Sequence, residues 1–584
     1  MEILSNKTKT QSWLTWFLRG LLFLGILILL VRLIDLQLIR GNYFKLLANE
    51  NRIRRIAVSA PRGRILARGG EVLVSNKEVK KKIVFNPEKG YEKTNKTEGS
   101  GEDELVSDWT RFYLLGEGMA HISGYLGEVN EEELGKVNPE CPEKGPASFG
   151  KLVGRGGLEE KYDCVLSGID GEELIEVNAS GEKIRTLGEK KAISGVDIKT
   201  LIDYGLQKKL TEIIKSAKDL PLDKRGAVIV EDAKSEILAL YSFPSFDPNI
   251  FVNQEKGNEI LKVLNDQSLP LFNRAISGVY HPGSTFKPLV AIAALEEGVI
   301  DEDYTYDDKG QIVLKTAYGD FSYKNWYFTQ YGGVEGVIKL PQAIARSTDT
   351  FFYALGELAG IDNITKWAAN FGLNDKLEVD LPSEAGGLIP SPQWKMEVVG
   401  ERWFLGNTYH LSIGQGYVSL TPLAVNNTIV AIANGGSLCT PKVVDFQKQK
   451  NEGYDFPGFA FFDNFFSKNI ECRSLEIDKN NIELVKEGMR GACEEGGTGF
   501  TFFDFAEKHD GIEVACKTGT AETDDRSEPH AWFVAFAPVE DPDIIVTVLV
   551  ENGGEGSKVA GPIAREIFDY WLGEAESTQD ETGF

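Results

Sequence analysis

The triplet Lys517-Thr518-Gly519 occurs once in the 584 residues, and Thr520 follows it. It lies within Ile512–Glu522, a run that reads as an edge strand of a β-sheet. A glycine there lets a ligand backbone approach closely, the lysine supplies positive charge, and the two threonine hydroxyls supply donors. Together these suit a carboxylate. The triplet gains meaning only if a matching nucleophile lies upstream.

Ser-x-x-Lys occurs three times, at Ser148…Lys151, Ser180…Lys183 and Ser284…Lys287. The first two fall in glycine-rich, non-periodic sequence, where positions i and i+3 have no fixed relation. The third follows a His281-Pro282-Gly283 turn and opens a helical pattern, with Pro288 in its first turn, running to a stop at Gly298. On a helix these two positions share a face, so Lys287 is predicted beside the Ser284 hydroxyl. A third element, Ser347-Thr348-Asp349, sits between helix-like Pro341–Arg346 and the apolar run Phe351–Leu355. The similar Ser245-Phe246-Asp247 is flanked by Pro244 and Pro248 and reads as a turn.

These groups need a scaffold. A hairpin pattern at Gly226–Val230 and Ile237–Tyr241, strands at 513–521, 530–537 and 543–551, and a helix-like Ile563–Leu572 bracket a helical middle. Strands at both ends with helices between predict one antiparallel sheet covered by helices on both faces, an α/β fold.

Ser-x-x-Lys, Ser-x-Asp or Ser-x-Asn, and Lys-Thr-Gly in this order are the signature of penicillin-binding proteins and class A β-lactamases. Ala60-Pro61-Arg62-Gly63-Arg64-Ile65, Gly157-Leu158-Glu159…Tyr162-Asp163, Asn273-Arg274-Ala275, Ser412-Ile413-Gly414-Gln415-Gly416 and His530-Ala531-Trp532-Phe533 extend the likeness over residues 60 to about 565. The chain resembles the class B penicillin-binding proteins, and Asp349 leans toward the penicillin-binding protein 2, cell-elongation branch. The resemblance implies a serine β-lactamase/transpeptidase-like catalytic domain on a mixed α+β pedestal.

It also implies acyl transfer from a D-Ala-D-Ala stem peptide to an amine of a neighbouring peptidoglycan strand, with Ser284 as nucleophile. Lys287 is then the base, and must be neutral to act; lowering its affinity for a proton by roughly three units costs about 4 kcal/mol. Burial and the charge of Lys517 push in that direction. Ser347 would relay the proton, and Lys517, Thr518, Gly519 and Thr520 would hold the substrate carboxylate. The N–H groups of Ser284 and Thr520 would form an oxyanion hole. Many family members carry Asn at the position of Asp349; an ionised Asp cannot donate to substrate as Asn can, which leaves its substrate-binding role open. β-Lactams, a membrane glycosyltransferase and other wall-synthesis proteins are the partners the family implies.

Other chemistries lack their residues. There is no Gly-x-Ser-x-Gly elbow, and only five histidines are present; His281 reads as a turn residue. No Cys-x-x-Cys, His-Glu-x-x-His or phosphate-loop spacing points to a metal or nucleotide, so neither metal nor cofactor is expected. A net charge of −25 argues against nucleic acid as a partner. A D,D-carboxypeptidase or β-lactamase would share the nucleophile, and a non-catalytic penicillin-binding scaffold or sensor would share the motifs.

Residues 13–38 are apolar and long enough to cross a bilayer, with Trp13 and Trp16 suited to the interface and Asp35 placed to pair with Arg32 at i, i+3. An uncleaved single-pass plasma-membrane anchor is expected, with residues 1–12 cytoplasmic and the body outside. Residues 39–195 are expected to form the pedestal, with a shortened head and a flexible charged loop over 77–104. Residues 196–572 would form the transpeptidase domain, and 573–584 a disordered acidic tail. The aromatic stretch Phe456–Phe466 reads as local packing. The six cysteines are expected as buried free thiols, with Cys472–Cys493 or Cys141–Cys164 as the alternative pairings.

Overall fold

The computed structural model describes residues 12–86, 90–94, 105–177, 183–218, 220–221, 225–316, 319–446, 472–523 and 527–580. Its contacts divide the chain into two units. One comprises Met1–Ala60, Glu78–Trp109 and Ile169–Ile193; the other comprises Pro61–Lys77, Thr110–Gly168 and Ser194–Phe584.

In the first unit a helix spans Ser12–Ile34, followed by a π-helical turn, Asp35–Ile39. Trp13–Ile39 is long and apolar enough to cross a membrane. Arg32 Nη1 meets Asp35 Oδ2 at 2.6 Å, as the i, i+3 spacing predicts, and Arg40 reaches the same carboxylate at 3.2 Å. Strands Ile53–Val58, Gly171–Val177 and Lys183–Lys190 form an antiparallel sheet. Within the stretch 77–104 expected as a flexible loop, Lys82–Asn86 pairs with Gly90–Thr94 as antiparallel strands, while 87–89 and 95–104 lie outside the described residues. Lys81 and Asp108 pair at 2.9 Å. Charged residues can pair as strands, so charge alone does not make a loop.

The second unit holds the catalytic sheet. Strands β1 (Gly226–Glu231), β2 (Ile237–Phe243), β3 (Ala515–Ala521), β4 (His530–Ala537) and β5 (Ile544–Val550) run in the order β2-β1-β5-β4-β3, antiparallel throughout. β3 is the edge strand that the sequence predicts. Residues on β4 alternate between two cores: Trp532, Val534 and Phe536 enter one, and Ala531, Phe533 and Ala535 the other. The helices follow in chain order: α1 (Tyr204–Ser216), α2 (Lys287–Glu296), α3 (Leu340–Ala345), α4 (Asp349–Asn370), α5 (Leu405–Ser412), α6 (Pro422–Ala433), α7 (Lys479–Ala492) and α8 (Gly556–Asp580). α1 and α8 cover one face of the sheet, while α2, α4 and α6 pack into the core on the other. α6 starts cleanly because Thr421 accepts from the Ala424 N–H at 3.1 Å and Pro422 fills the first helical position. α8 runs to Asp580, so most of the stretch expected to be a disordered tail is helical. Phe456–Phe466 lies outside the described residues.

The free-thiol expectation is overturned, and so is the Cys472–Cys493 alternative, while the Cys141–Cys164 alternative forms. All six pair, as Cys141–Cys164, Cys439–Cys472 and Cys493–Cys516. Cys516 does point away from Lys517, as strand alternation requires, but it bonds Cys493 beyond the end of α7 rather than packing as a thiol. Proximity of Cys493 and Cys516 arises from α7 packing against β3, a contact that sequence spacing does not show.

The segment carrying Arg62 also finds its partners. Arg62 Nη2 bonds Glu159 at 2.7 Å and Asp163 at 2.8 Å, and the buried Arg111 Nε bonds Glu159 at 2.6 Å. Two stretches that looked alike to one family for separate reasons are thus halves of a single buried ion cluster, in which each charge has a partner.

Candidate active site

Ser284 lies in a 3₁₀ turn, Gly283–Phe286, and Lys287 begins α2 directly behind it. The sequence predicted one continuous helix from Ser284; the tighter turn keeps the serine at the surface of the cleft while Lys287 is fully buried. Two glycines fix this turn against its neighbours. A Cβ on Gly414, whose φ is +72°, would fall 2.1 Å from the Gly283 carbonyl oxygen. A Cβ on Gly519 would lie 2.9 Å from Trp532 Cβ and 3.1 Å from Thr285 Cγ2. The Gly283 N–H donates to the Gly414 carbonyl at 2.9 Å, and Trp532 Nε1 donates to the His281 carbonyl at 3.0 Å. His281 therefore serves the turn, as expected, with its Nδ1 on the Val418 carbonyl at 2.6 Å.

Behind Ser284 four side chains form an open ring that runs from Asp349 through Lys287 and Ser347 to Lys517. Lys287 Nζ donates to Asp349 Oδ1 at 2.7 Å, to the Ser347 carbonyl at 2.9 Å and to Ser347 Oγ at 3.1 Å. Lys517 Nζ lies 2.8 Å from the same Ser347 Oγ and 3.0 Å from the Thr518 carbonyl. The Ser347 hydroxyl thus bridges two lysines, both 0% exposed. Ser347 holds a left-handed backbone, φ +54°, a conformation that costs a non-glycine residue about 1–3 kcal/mol and survives where the surroundings enforce it.

Electrostatics rank the ring. Burial pushes the Lys287 ammonium below the usual lysine range, and Asp349 partly holds it up. Lys517 is pushed well below that range, first by burial and then by the charge of Lys287. One carboxylate faces two buried lysines, so one ammonium balances the ring. Lys287 has three acceptors at 2.7–3.1 Å, the Asp349 carboxylate among them, which matches the three hydrogens of an ammonium. Lys517 has two acceptors and no carboxylate within ion-pair distance, which suits the neutral amine.

The sequence reading brought together Ser347, Asp349, Lys287 and Lys517 correctly but misjudged two contacts. Ser284 Oγ makes no hydrogen bond to Lys287; that lysine is fully engaged by Ser347 and Asp349. Asp349, expected at the substrate, is turned inward. Its Oδ2 accepts the Trp326 N–H at 3.0 Å, and its own N–H donates to Asn325 Oδ1 at 3.1 Å. Asn325 and Trp326, which no motif marks, therefore position the carboxylate. Thr518 Oγ1 is held by Thr498 Oγ1 at 2.9 Å, from a Gly-Gly-Thr-Gly run whose only sequence signal was its glycines. Thr520 is exposed at the cleft. The decoys fall away: Ser148 and Lys151 close a backbone turn at 3.2 Å, and Ser245 Oγ binds the Glu117 carbonyl at 2.7 Å.

Comparisons with known proteins agree with this geometry. Residues 226–569 match the penicillin binding protein transpeptidase domain, and 104–200 match the penicillin-binding protein dimerisation domain. The chain is 30% identical to the peptidoglycan D,D-transpeptidase MrdA of Haemophilus influenzae, over 94% of this chain and 91% of that protein. Its fold is similar to Pseudomonas aeruginosa PBP2 in complex with WCK 5153, with a TM-score of 0.68 at 29% identity, covering 89% of this chain and 97% of that one. It is also similar to PBP2 of Helicobacter pylori in complex with MreC, with a TM-score of 0.71 at 25% identity, covering 89% and 99%. The chain belongs to the class B penicillin-binding proteins, in the penicillin-binding protein 2, cell-elongation branch.

Proposed function

We propose that this chain performs the peptidoglycan D,D-transpeptidase reaction of its branch through Ser284, with Lys287, Ser347 and Lys517 as one proton-handling unit. The observation that carries this reading is the Ser347 hydroxyl, 3.1 Å from Lys287 Nζ and 2.8 Å from Lys517 Nζ. At rest the extra proton belongs to Lys287. A substrate carboxylate at Thr518 and Thr520 brings a negative charge beside Lys517 and raises its proton affinity. The proton then passes from Lys287 through the Ser347 hydroxyl to Lys517, which leaves Lys287 neutral.

Ser284 Oγ attacks the carbonyl carbon of the penultimate D-Ala and gives its proton to Lys287. The oxyanion is held by the N–H groups of Ser284 and Thr520, a contribution of about 3–4 kcal/mol per donor. The C–N bond breaks, the terminal D-Ala leaves as an amine protonated through Ser347, and the acyl-enzyme remains. An amine of a neighbouring strand attacks this ester, a new C–N bond forms, and the proton it loses returns to Ser284. Asp349 sets the proton affinity of Lys287 and touches no substrate. A β-lactam would enter the first half of this sequence and stop at the ester.

Three disulfides support an oxidising compartment for the body of the chain. We place residues 1–12 in the cytoplasm, 13–38 in the plasma membrane, the pedestal (39–195) and transpeptidase domain (196–572) outside it, and 573–584 as a tail. An H. pylori relative forms a complex with MreC, which supports wall-synthesis proteins, including a membrane glycosyltransferase, as partners.

Labelled penicillin should acylate the purified protein at Ser284, and S284A should abolish the label; a labelled S284A overturns the assignment. A D-Ala-D-Ala peptide should release free D-Ala, and its acyl part should pass into a cross-linked product when an acceptor amine is added. Release of free acid alone would make the enzyme a carboxypeptidase.

A further inference from the structure

Three segments of the second unit meet at Arg346, the residue before Ser347. Its Nε donates to Glu335 Oε1 at 3.1 Å, and Glu335 is held in turn, because its N–H donates to Asp308 Oδ2 at 2.9 Å. The guanidinium carbon lies 5.7 Å from the ring centre of Trp326 and 5.2 Å from that of Tyr327, within reach of a cation–π contact. Nη1 donates to the Gly496 carbonyl at 2.7 Å. The backbone of Arg346 adds a further tie, since its carbonyl accepts from Trp326 Nε1 at 2.9 Å.

The Gly496 contact leads to the carboxylate clamp. Gly496 lies on the loop that follows α7, two residues before Thr498, whose Oγ1 accepts from Thr518 Oγ1 at 2.9 Å. Both ends of this loop are tied to the protein body. The Cys493–Cys516 bridge joins its start to β3, and the Gly499 N–H donates to the Ala492 carbonyl at 2.7 Å. A Cβ on Gly499 would fall 2.6 Å from Cys516 Sγ, so the loop lies directly on the bridge. Between these ends Gly496 turns with φ +93°, and the Arg346 guanidinium joins it to the Ser347 segment. A planar fork stacked on rings holds a carboxylate and a carbonyl in fixed directions at once; the point charge of a lysine does not.

We propose that Arg346 is a positioning residue for recognition of the substrate carboxylate: its guanidinium sets the Thr518 hydroxyl through Gly496 and Thr498. The proposal rests on Thr518 holding that carboxylate. The base side of the site does not depend on the same side chain. Trp326 Nε1 bonds the Arg346 backbone, and the Trp326 N–H holds Asp349, so both contacts survive a change of side chain. Removing the guanidinium therefore weakens the grip on a terminal carboxylate and leaves Lys287 in place.

The test uses the full-length protein and two peptides, one ending in D-Ala-D-Ala with a free carboxylate and one ending in D-Ala-D-alaninamide. Acylation of Ser284 is followed by mass spectrometry, and the folding of each variant by circular dichroism. The native enzyme should acylate with the free acid about a hundredfold faster than with the amide, as two charge-assisted hydrogen bonds give. R346M keeps the apolar stem against the rings, and should cut that preference about tenfold by slowing the acid while the amide stays within about twofold. R346K keeps the charge and loses the fork, and its preference should fall between the two; it carries the test if R346M does not fold. In a T518V background R346M should cost less than about twofold, because no hydroxyl is left to position. Equal slowing of both peptides by R346M, or an undiminished effect of R346M in T518V, makes Arg346 a scaffold residue and overturns the proposal. The same variants separate the two readings. A preference unchanged in T518V sinks the carboxylate clamp and the proposal with it, whereas a preference lost in T518V but kept in R346M and R346K sinks only the role of Arg346.

Discussion

Asp349 decides how the site responds to pH. Its carboxylate sits 2.7 Å from Lys287 Nζ and favours the ammonium, yet acylation needs the neutral amine. Removing that charge in D349N lowers the proton affinity of Lys287 further, so the acid limb of the acylation–pH profile should move to lower pH. A limb left in place, or moved to higher pH, would show that Lys287 is not the titrating base. Ser284, Lys287 and Lys517 were legible in the sequence because each belongs to a short motif with local geometry, a turn or a strand. The role of Asp349 was not. It depends on the Trp326 N–H and Asn325 Oδ1, which arrive from a segment more than twenty residues upstream with no periodic or motif signal.

Among the elements, β1 carries an unusual load. Glu231, at its bulged end, is fully buried and accepts from Asn426 Nδ2 of α6 at 2.9 Å. Glu231 Oε1 and Asn426 Oδ1 are both left without partners, and a proton on Glu231 supplies the missing donor. Burial pushes this carboxyl up to about 8; the Asn426 bond opposes the rise, and Asp232 adds to it. Since the folded value lies above the unfolded one of 4.5, folding stability falls as pH rises through this interval, and the whole cost is present above about pH 8. E231Q keeps the shape and provides a permanent donor. Its urea midpoint should match the native protein near pH 4.5 and exceed it increasingly toward pH 8, by up to about 5 kcal/mol. A gain independent of pH would refute a protonated Glu231. Apolar runs bounded by turn residues revealed β1–β5, including the edge at β3, because strands buried on both faces read as continuous apolar stretches. They could not reveal the disulfide from Cys493 to Cys516, since it depends on how α7 lies against that edge.

At the scale of the molecule, an apolar helix long enough to cross a membrane precedes a body held by three disulfides and by the buried ion cluster around Glu159. The reactive serine is held at the meeting of three backbone segments that touch where Gly414 and Gly519 have no side chain. That contact restricts how a lineage can escape an antibiotic. A larger residue at Gly519 would push the Ser284 turn from β3, and one at Gly414 would push it from the segment that carries Gly414, so either should lower penicillin acylation and cross-linking together. Escape must come instead from the rim, at positions that neither hold the turn nor bind the substrate carboxylate. Sequencing survivors of graded penicillin selection should find substitutions among such rim positions, and none at Gly414 or Gly519. The floor of the cleft is thus an evolutionary dead end for resistance, and a ligand that draws its affinity from those backbone atoms would be the hardest for this enzyme to outrun.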